Sequence, residues 1–191
     1  MQVQKAEVRR RIVAAATEEF YLHGYQKASM RQIATSAHLA TGNIYSYFKS
    51  KLELFNSLIE ETLAGLNEFI SKLYKNPTGE SMSMDSMPDE IFNVFAMNRM
   101  AFLILVERSP DSTKFKSQLA EWISERLDAD YLPSVATEWP PQLPNSIAWA
   151  IVEGIINILR SCSDDDELTK ANLRLFLDIV ISLPKENQEK P

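Results

Sequence analysis

Two phenols and two ammonium groups crowd one short stretch of the chain. TGNIYSYFKSKLEL, residues 41–54, places Tyr45, Tyr47 and Phe48 within four positions and sets Lys49 and Lys51 directly behind them. Tyrosine hydroxyls and lysine ammoniums both donate hydrogen bonds to phosphate oxygens. Just ahead stand Thr41, Gly42 and Asn43. An asparagine amide can donate to and accept from one nucleobase at once, and a glycine lets the backbone approach closely. This chemistry is recognition of a polyanion rather than bond breaking. The sequence has no serine or cysteine with a recognisable base and no phosphate-cradling glycine loop. Cys162 is the only cysteine and His23 and His38 are the only histidines, too few for a disulfide or a zinc cluster. No enzyme, cofactor or structural metal is expected.

Charge distribution points the same way. The chain of 191 residues carries a net charge of −6. Up to Lys51, however, eight basic residues (Lys5, Arg9, Arg10, Arg11, Lys27, Arg31, Lys49, Lys51) face three acidic ones (Glu7, Glu18, Glu19), a balance of +5 that leaves −11 for the remainder. A basic head on an acidic body attracts a polyanion to one end only. Arg9, Arg10 and Arg11 either add loose phosphate attraction or form a solvated face. No apolar run approaches the roughly 18 residues of a membrane span, and MQVQKAEVRRR lacks a signal-peptide core. A cytoplasmic protein with no membrane partner is expected.

Five glycines, scant β-branched alternation and long 3.6-residue periodicity predict an all-α fold. Val8, Ile12, Ala15, Ala16 and Phe20 stripe a helix over residues 5–23, stopped by Gly24. Ser29-Met30-Arg31-Gln32 has the form of a capping box opening a helix over residues 30–37, and Ser50-Lys51-Leu52-Glu53 is a second. Between them, Ala37-His38-Leu39 joins two short helices, the later one with Ile44, Tyr47 and Phe48 on its apolar side. Preceded by the first helix, the pair forms a helix-turn-helix, with Ile33, Leu39 and Ile44 filling the wedge and Ala34 allowing close crossing. A long helix from Ser50 links head to body. Residues 76–88 read as a turn-rich loop whose Met82, Met84 and Met87 have no helical register, either a connection or a lid. Helices follow over about 88–108, 111–131, 144–162 and 165–183, with a proline-broken stretch carrying Trp139 and a frayed tail. Asp164 to Glu167 suit a helix start better than a cation site.

IVAAATEEFYLHGYQKASMRQIATSAHLATGNIYSYFKSKLELF, residues 12–55, resembles the DNA-binding domain of the TetR family of bacterial transcriptional regulators. The matching features are Ala15-Ala16 and Phe20, Gly24 with Tyr25, Ser29 with Gln32-Ile33-Ala34, and Gly42, Ile44, Tyr45, Tyr47, Phe48, Lys51 and Leu54. Together with the chemistry above, the resemblance gives Ser29, Arg31, Gln32, Thr41, Gly42, Asn43, Tyr45, Tyr47 and Lys51 as candidate contacts to double-stranded DNA. It implies a helix-turn-helix domain over residues 1–50 and a helical effector-binding and dimerisation domain over 51–191. Two departures stand out. His38 occupies a place where the family usually has glycine, and so must adopt or avoid a left-handed backbone. Ala40 replaces a capping hydroxyl, so Thr41 is a candidate to take over the cap.

Helices apolar nearly all round must be covered on more than one side. The stretch from Ile147 to Leu159 and the last helix are of this kind, which suggests a two-fold four-helix interface with a second copy through Ile151, Ile155, Ile158, Leu175, Ile179 and Leu183. Asn98 and Arg99 sit among apolar neighbours on a helical pattern. Arg99 either meets an internal acid or water, or serves a ligand pocket lined by Phe95, Asn98, Arg99, Met100, Phe102, Trp122 and Trp149. The reading that results is a ligand-responsive homodimeric repressor. Its alternatives are a DNA-binding protein without an effector and an activator.

Overall fold

A computed structural model describes residues 2–74, 86–131, 138–162 and 164–182, and every regular element among them is helical. Leu183, the frayed tail, Met82 and Met84 lie outside the described residues. By packing, the chain divides into two units, residues 1–65 with 97–113 and residues 66–96 with 114–191.

The first unit is organised on α1 (Gln2–Lys27). Ile12, Ala16 and Phe20, four apart on one face, are fully buried. Gly24 interrupts α1 with φ +70°, so the regular helix stops where the sequence placed its end, and one further turn follows to Lys27. A left-handed φ favours glycine, and a Cβ here would sit 3.5 Å from the Arg108 carbonyl oxygen. Beyond it, Tyr25 stands 4.8 Å from Phe55 and Phe55 5.1 Å from Phe20, both edge to face, an arrangement that favours the ring quadrupoles.

The helix-turn-helix follows as α2 (Met30–Ser36) and α3 (Thr41–Ile44). Ser29 caps α2, its hydroxyl accepting the Gln32 N–H at 3.4 Å. The reciprocal half of the expected capping box is different: the Ser29 N–H donates to Glu19 Oε1 of α1 at 2.9 Å, not to Gln32. A carboxylate from another helix takes the place because it is fixed there by its own burial. The turn between α2 and α3 is closed by two bonds, His38 N–H to the Thr35 carbonyl at 3.0 Å and Leu39 N–H to the Ala34 carbonyl at 2.9 Å. This is a Schellman motif, and it requires its hinge residue to be left-handed. His38 adopts φ 56°, the one positive φ at a non-glycine among the described residues.

Ala40 is the N-cap of α3 and offers no side-chain bond, so Thr41 does not take over the cap and remains the first helical residue. The third helix is shorter than its apolar pattern suggested. After Ile44 the chain continues as turns, although Phe48 N–H still reaches the Ile44 carbonyl at 3.0 Å. Then α4 (Lys51–Tyr74) begins with the second capping box. Ser50 Oγ accepts the Glu53 N–H at 3.1 Å, and the Glu53 carboxylate accepts from Lys49 N–H at 2.7 Å, one residue earlier than the pattern assigns.

A single helix over about 88–108 is not formed. α5 (Met87–Met97) ends at Asn98, whose backbone is extended (φ −159°, ψ 94°) and whose Oδ1 accepts the Ala101 N–H at 3.0 Å as cap of α6 (Arg99–Leu103). Asparagine competes with the helix for backbone donors, and here it wins. A π-helical turn, Ile104–Arg108, follows and packs on α1, burying the consecutive Ile104, Leu105 and Val106. Met87 does have a helical register: it opens α5 fully buried.

The second unit contains the end of α4, most of α5 and α7 (Ser112–Arg126), a π-helical turn at Leu127–Tyr131, α8 (Leu143–Ser161) and α9 (Asp166–Ser182). Its core is drawn from Phe69, Phe92, Phe95, Ile123, Ile155, Leu173 and others. Exposed pairs tie the rim: Arg174 to Asp89 at 2.8 Å, Lys116 to Glu153 at 2.8 Å and Lys72 to Glu90 at 3.1 Å. The hydrogen bond to Glu90 raises the Lys72 pKa above its ordinary value. Asp165 Oδ1 accepts the Leu168 N–H at 3.0 Å, which makes the acidic run a helix cap. α8 and α9 pack directly on each other, and a side chain at Gly154 would overlap the Phe176 ring.

Two substitutions follow from the turn. His38→Gly relieves the left-handed strain and is expected to stabilise the chain by about 1 kcal/mol, read as a higher thermal midpoint. Ala40→Ser supplies the absent cap and is expected to add about 1 kcal/mol in urea unfolding.

Candidate nucleic-acid interface

The surface around α2 and α3 is built by burying the opposite side. Ile33, Ala34, Ala37, Ile44 and Phe48 are each 2% exposed or less. With those positions anchored inward, the remaining ones must face out. Ser29, Arg31, Gln32, Thr41, Gly42 and Asn43 are exposed, and Tyr47 is half-buried. Tyr45 is 49% exposed, a large ring left in solvent at the end of a four-residue helix. Among the described residues neither phenol has a hydrogen-bond partner, so both hydroxyls are available as donors. Gly42 has open space where a Cβ would be, so nothing within the protein obliges a glycine there.

Lys51 is placed differently from the simple clamp suggested by its charge. Its Nζ donates to the carbonyls of Gln26 at 3.2 Å and Ala28 at 3.1 Å, and lies 4.8 Å from the Tyr25 ring centroid. The ammonium thus ties the end of α1 to the start of α4 and keeps one of its three donors uncommitted. Glu19, buried beneath the α2 cap, lies 3.7 Å from His23 Nε2. Sequence reasoning missed this carboxylate, because nothing local marks a glutamate ten positions before the serine it holds. Arg9, which the sequence leaves between loose phosphate attraction and a solvated face, has its guanidinium carbon 5.0 Å from the Phe48 ring centroid, a contact that nothing local in the sequence marks.

The residues assigned to an effector pocket are not gathered in one packing unit. Asn98, Arg99, Met100 and Phe102 belong to the first, and Phe95, Trp122 and Trp149 to the second. Asn98 is exposed and committed as a helix cap, and Arg99 is half-buried rather than a charge sealed in the core. The helix break at Asn98 rotates both out of the register that the uninterrupted pattern implied. Phe95, Phe102 and Trp122 are buried, and the Trp122 Nε1 has no hydrogen-bond partner. A groove of about 650 Å³ runs along α4, bordered by Leu52, Asn56, Ile59 and Leu63.

The proposed subunit contact also sorts by exposure. Ile151 and Ile155 are 1% and 2% exposed, already covered within this chain. Ile158 is half-buried, while Leu175 and Ile179 are 58% and 52% exposed. Leu168, not singled out from sequence, joins them at 50% on the same face of α9.

No helix among the described residues is long and apolar enough to cross a membrane. Residues 12–58 match the family model described as bacterial regulatory proteins, tetR family. The chain is 25% identical over 169 residues to the HTH-type transcriptional repressor BepR of Brucella suis biovar 1 (strain 1330), covering 81% of each. Its fold is similar to that of NalD, the secondary repressor of the MexAB-OprM multidrug efflux pump in Pseudomonas aeruginosa, with a TM-score of 0.53, 18% identity and coverage of 98% of this chain and 99% of that one. It is also similar to the transcriptional regulator FadR from Bacillus subtilis in complex with stearoyl-CoA, with a TM-score of 0.50, 17% identity and coverage of 91% and 97%. The all-α architecture, the helix-turn-helix with its outward row and the match across it agree: residues 12–58 form a DNA-binding domain of the kind found in the tetR family of bacterial regulatory proteins.

Proposed function

We propose that the protein is a homodimeric repressor that binds a near-palindromic operator and is released by a small-molecule effector. One observation carries the reading: Thr41, Gly42, Asn43 and Tyr45 stand exposed on a short helix whose other side is locked into the core of a basic head. Thr41, Gly42 and Asn43, at the start of the recognition helix, approach base edges in the major groove. Ser29, Arg31 and Gln32 at the start of α2, with Tyr45, Tyr47 and the remaining donor of Lys51, hold the sugar-phosphate backbone. The functional division is a head of residues 1–50 and an effector and dimerisation part of residues 51–191.

Dimerisation supplies the second head. Leu168, Leu175 and Ile179 form an apolar row on α9, and Ile158 and Gly154 of the helix packed on it, α8, are half-buried. An identical pair of helices would cover it by two-fold symmetry, and two recognition helices would then enter successive major grooves about 34–36 Å apart. Repression and release are supported by relatives named as repressors and by a similar structure that holds stearoyl-CoA. An effector that favours a dimer with mismatched heads needs a coupling of only about 1–3 kcal/mol to release DNA substantially.

Binding is measured by fluorescence anisotropy on duplexes covering the DNA upstream of the protein's own coding region. Tyr45→Ala and Tyr47→Ala are expected to weaken it about tenfold each, as loss of a phosphate bond worth roughly 1.5 kcal/mol would do. Unchanged affinity in both would remove these residues from the interface. Leu175→Lys with Ile179→Lys is expected to yield a monomer by sedimentation and to abolish tight operator binding, while helix content by circular dichroism stays the same. A dimer that survives both lysines is assembled through another surface.

A further inference from the structure

The arginines near the start of α1 are not equivalent. Arg10 pairs with Glu7 at 3.3 Å. Arg9 has no carboxylate partner among the described residues. Its guanidinium lies over the ring of Phe48, 5.0 Å from the centroid, although 39 positions separate the two in sequence. Phe48 is 1% exposed and ends the segment that carries Tyr45 and Tyr47. Arg9 itself is exposed.

The ring contact engages the charge of the guanidinium and no hydrogen-bond acceptor. A guanidinium carries five N–H donors. Contact with a ring quadrupole therefore fixes the cation without consuming a donor. Fixing also lowers the side-chain entropy that a long arginine loses on binding. We propose that Arg9 is a phosphate-contacting residue of the DNA interface, prepositioned by Phe48 beside the recognition helix. Its donors take a backbone phosphate oxygen, in a fork that lysine cannot reproduce. This rests on the DNA-binding reading above and extends it to α1, which the helix-turn-helix pattern does not include.

A neutral substitution separates a phosphate contact from a structural one. Affinity is measured against salt concentration for a duplex from upstream of the coding region and a scrambled duplex of equal length. Arg9→Gln is expected to lower the log–log salt slope by about 0.9 for each copy bound, to the same extent on both duplexes. Arg9→Lys keeps the charge, so it retains the slope while weakening affinity severalfold. An Arg9→Gln slope equal to that of the salt-dependent wild type overturns the inference and leaves the function standing. A loss confined to the upstream duplex overturns the phosphate assignment in favour of base reading. A wild type that ignores both duplexes overturns this inference and the function together.

Discussion

A four-residue helix cannot hold its own shape in water, because nucleation fixes several residues before propagation contributes. α3 exists only because Ile44 and Phe48 are driven into the core beside Ile33 and Ala34, and because the preceding turn is closed by its two Schellman bonds. The outward row is therefore a by-product of inward burial. Loosening the core would not expose new chemistry. It would erase the geometry of Thr41, Gly42 and Asn43 relative to Tyr45 and Tyr47. Hydrophobic packing thereby sets the precision of a surface whose own interactions are polar.

The polar bonds around the head then act as fasteners on that core. Glu19 holds the first residue before α2, Glu53 holds the backbone before α4, and Lys51 holds the carbonyls after Gly24. Each charged group meets a helix end of suitable polarity, an anion at free N–H groups and a cation at free carbonyls. Each is also partly exposed or shared, so individually they contribute modestly to stability. Their effect is on geometry: they fix where helices begin and end. His38 works in the opposite sense, taking a backbone conformation that glycine would accept more readily so that the turn can close.

In the body, exposure separates two jobs that apolar content alone confuses. Ile151 and Ile155 are buried within the chain, whereas Leu168, Leu175 and Ile179 remain in solvent with no covering element among the described residues. Isolated exposed leucines are ordinary, but three on one helical face form a strip. The break at Asn98 similarly divides a stretch that the sequence presents as continuous.

Local signals made the head legible. Gly24, Ser29, Ser50 and the apolar stripe of α1 act through neighbours three or four residues away, so their spacing alone fixes the helix starts, the stop and the sides that face inward. The basic head and the Tyr45 and Tyr47 pair were legible for the same reason: residue type and order sufficed. Partnerships across distance were decided by the tertiary structure alone. That Ser29 would be held by Glu19 rather than Gln32, that Lys51 would serve carbonyls, and that Arg9 would lie on Phe48 depend on where separate helices meet. The break at Asn98 and the division of Ile151 from Leu175 depend on it too, because a hydrophobic pattern records that a side chain is to be covered but not by what.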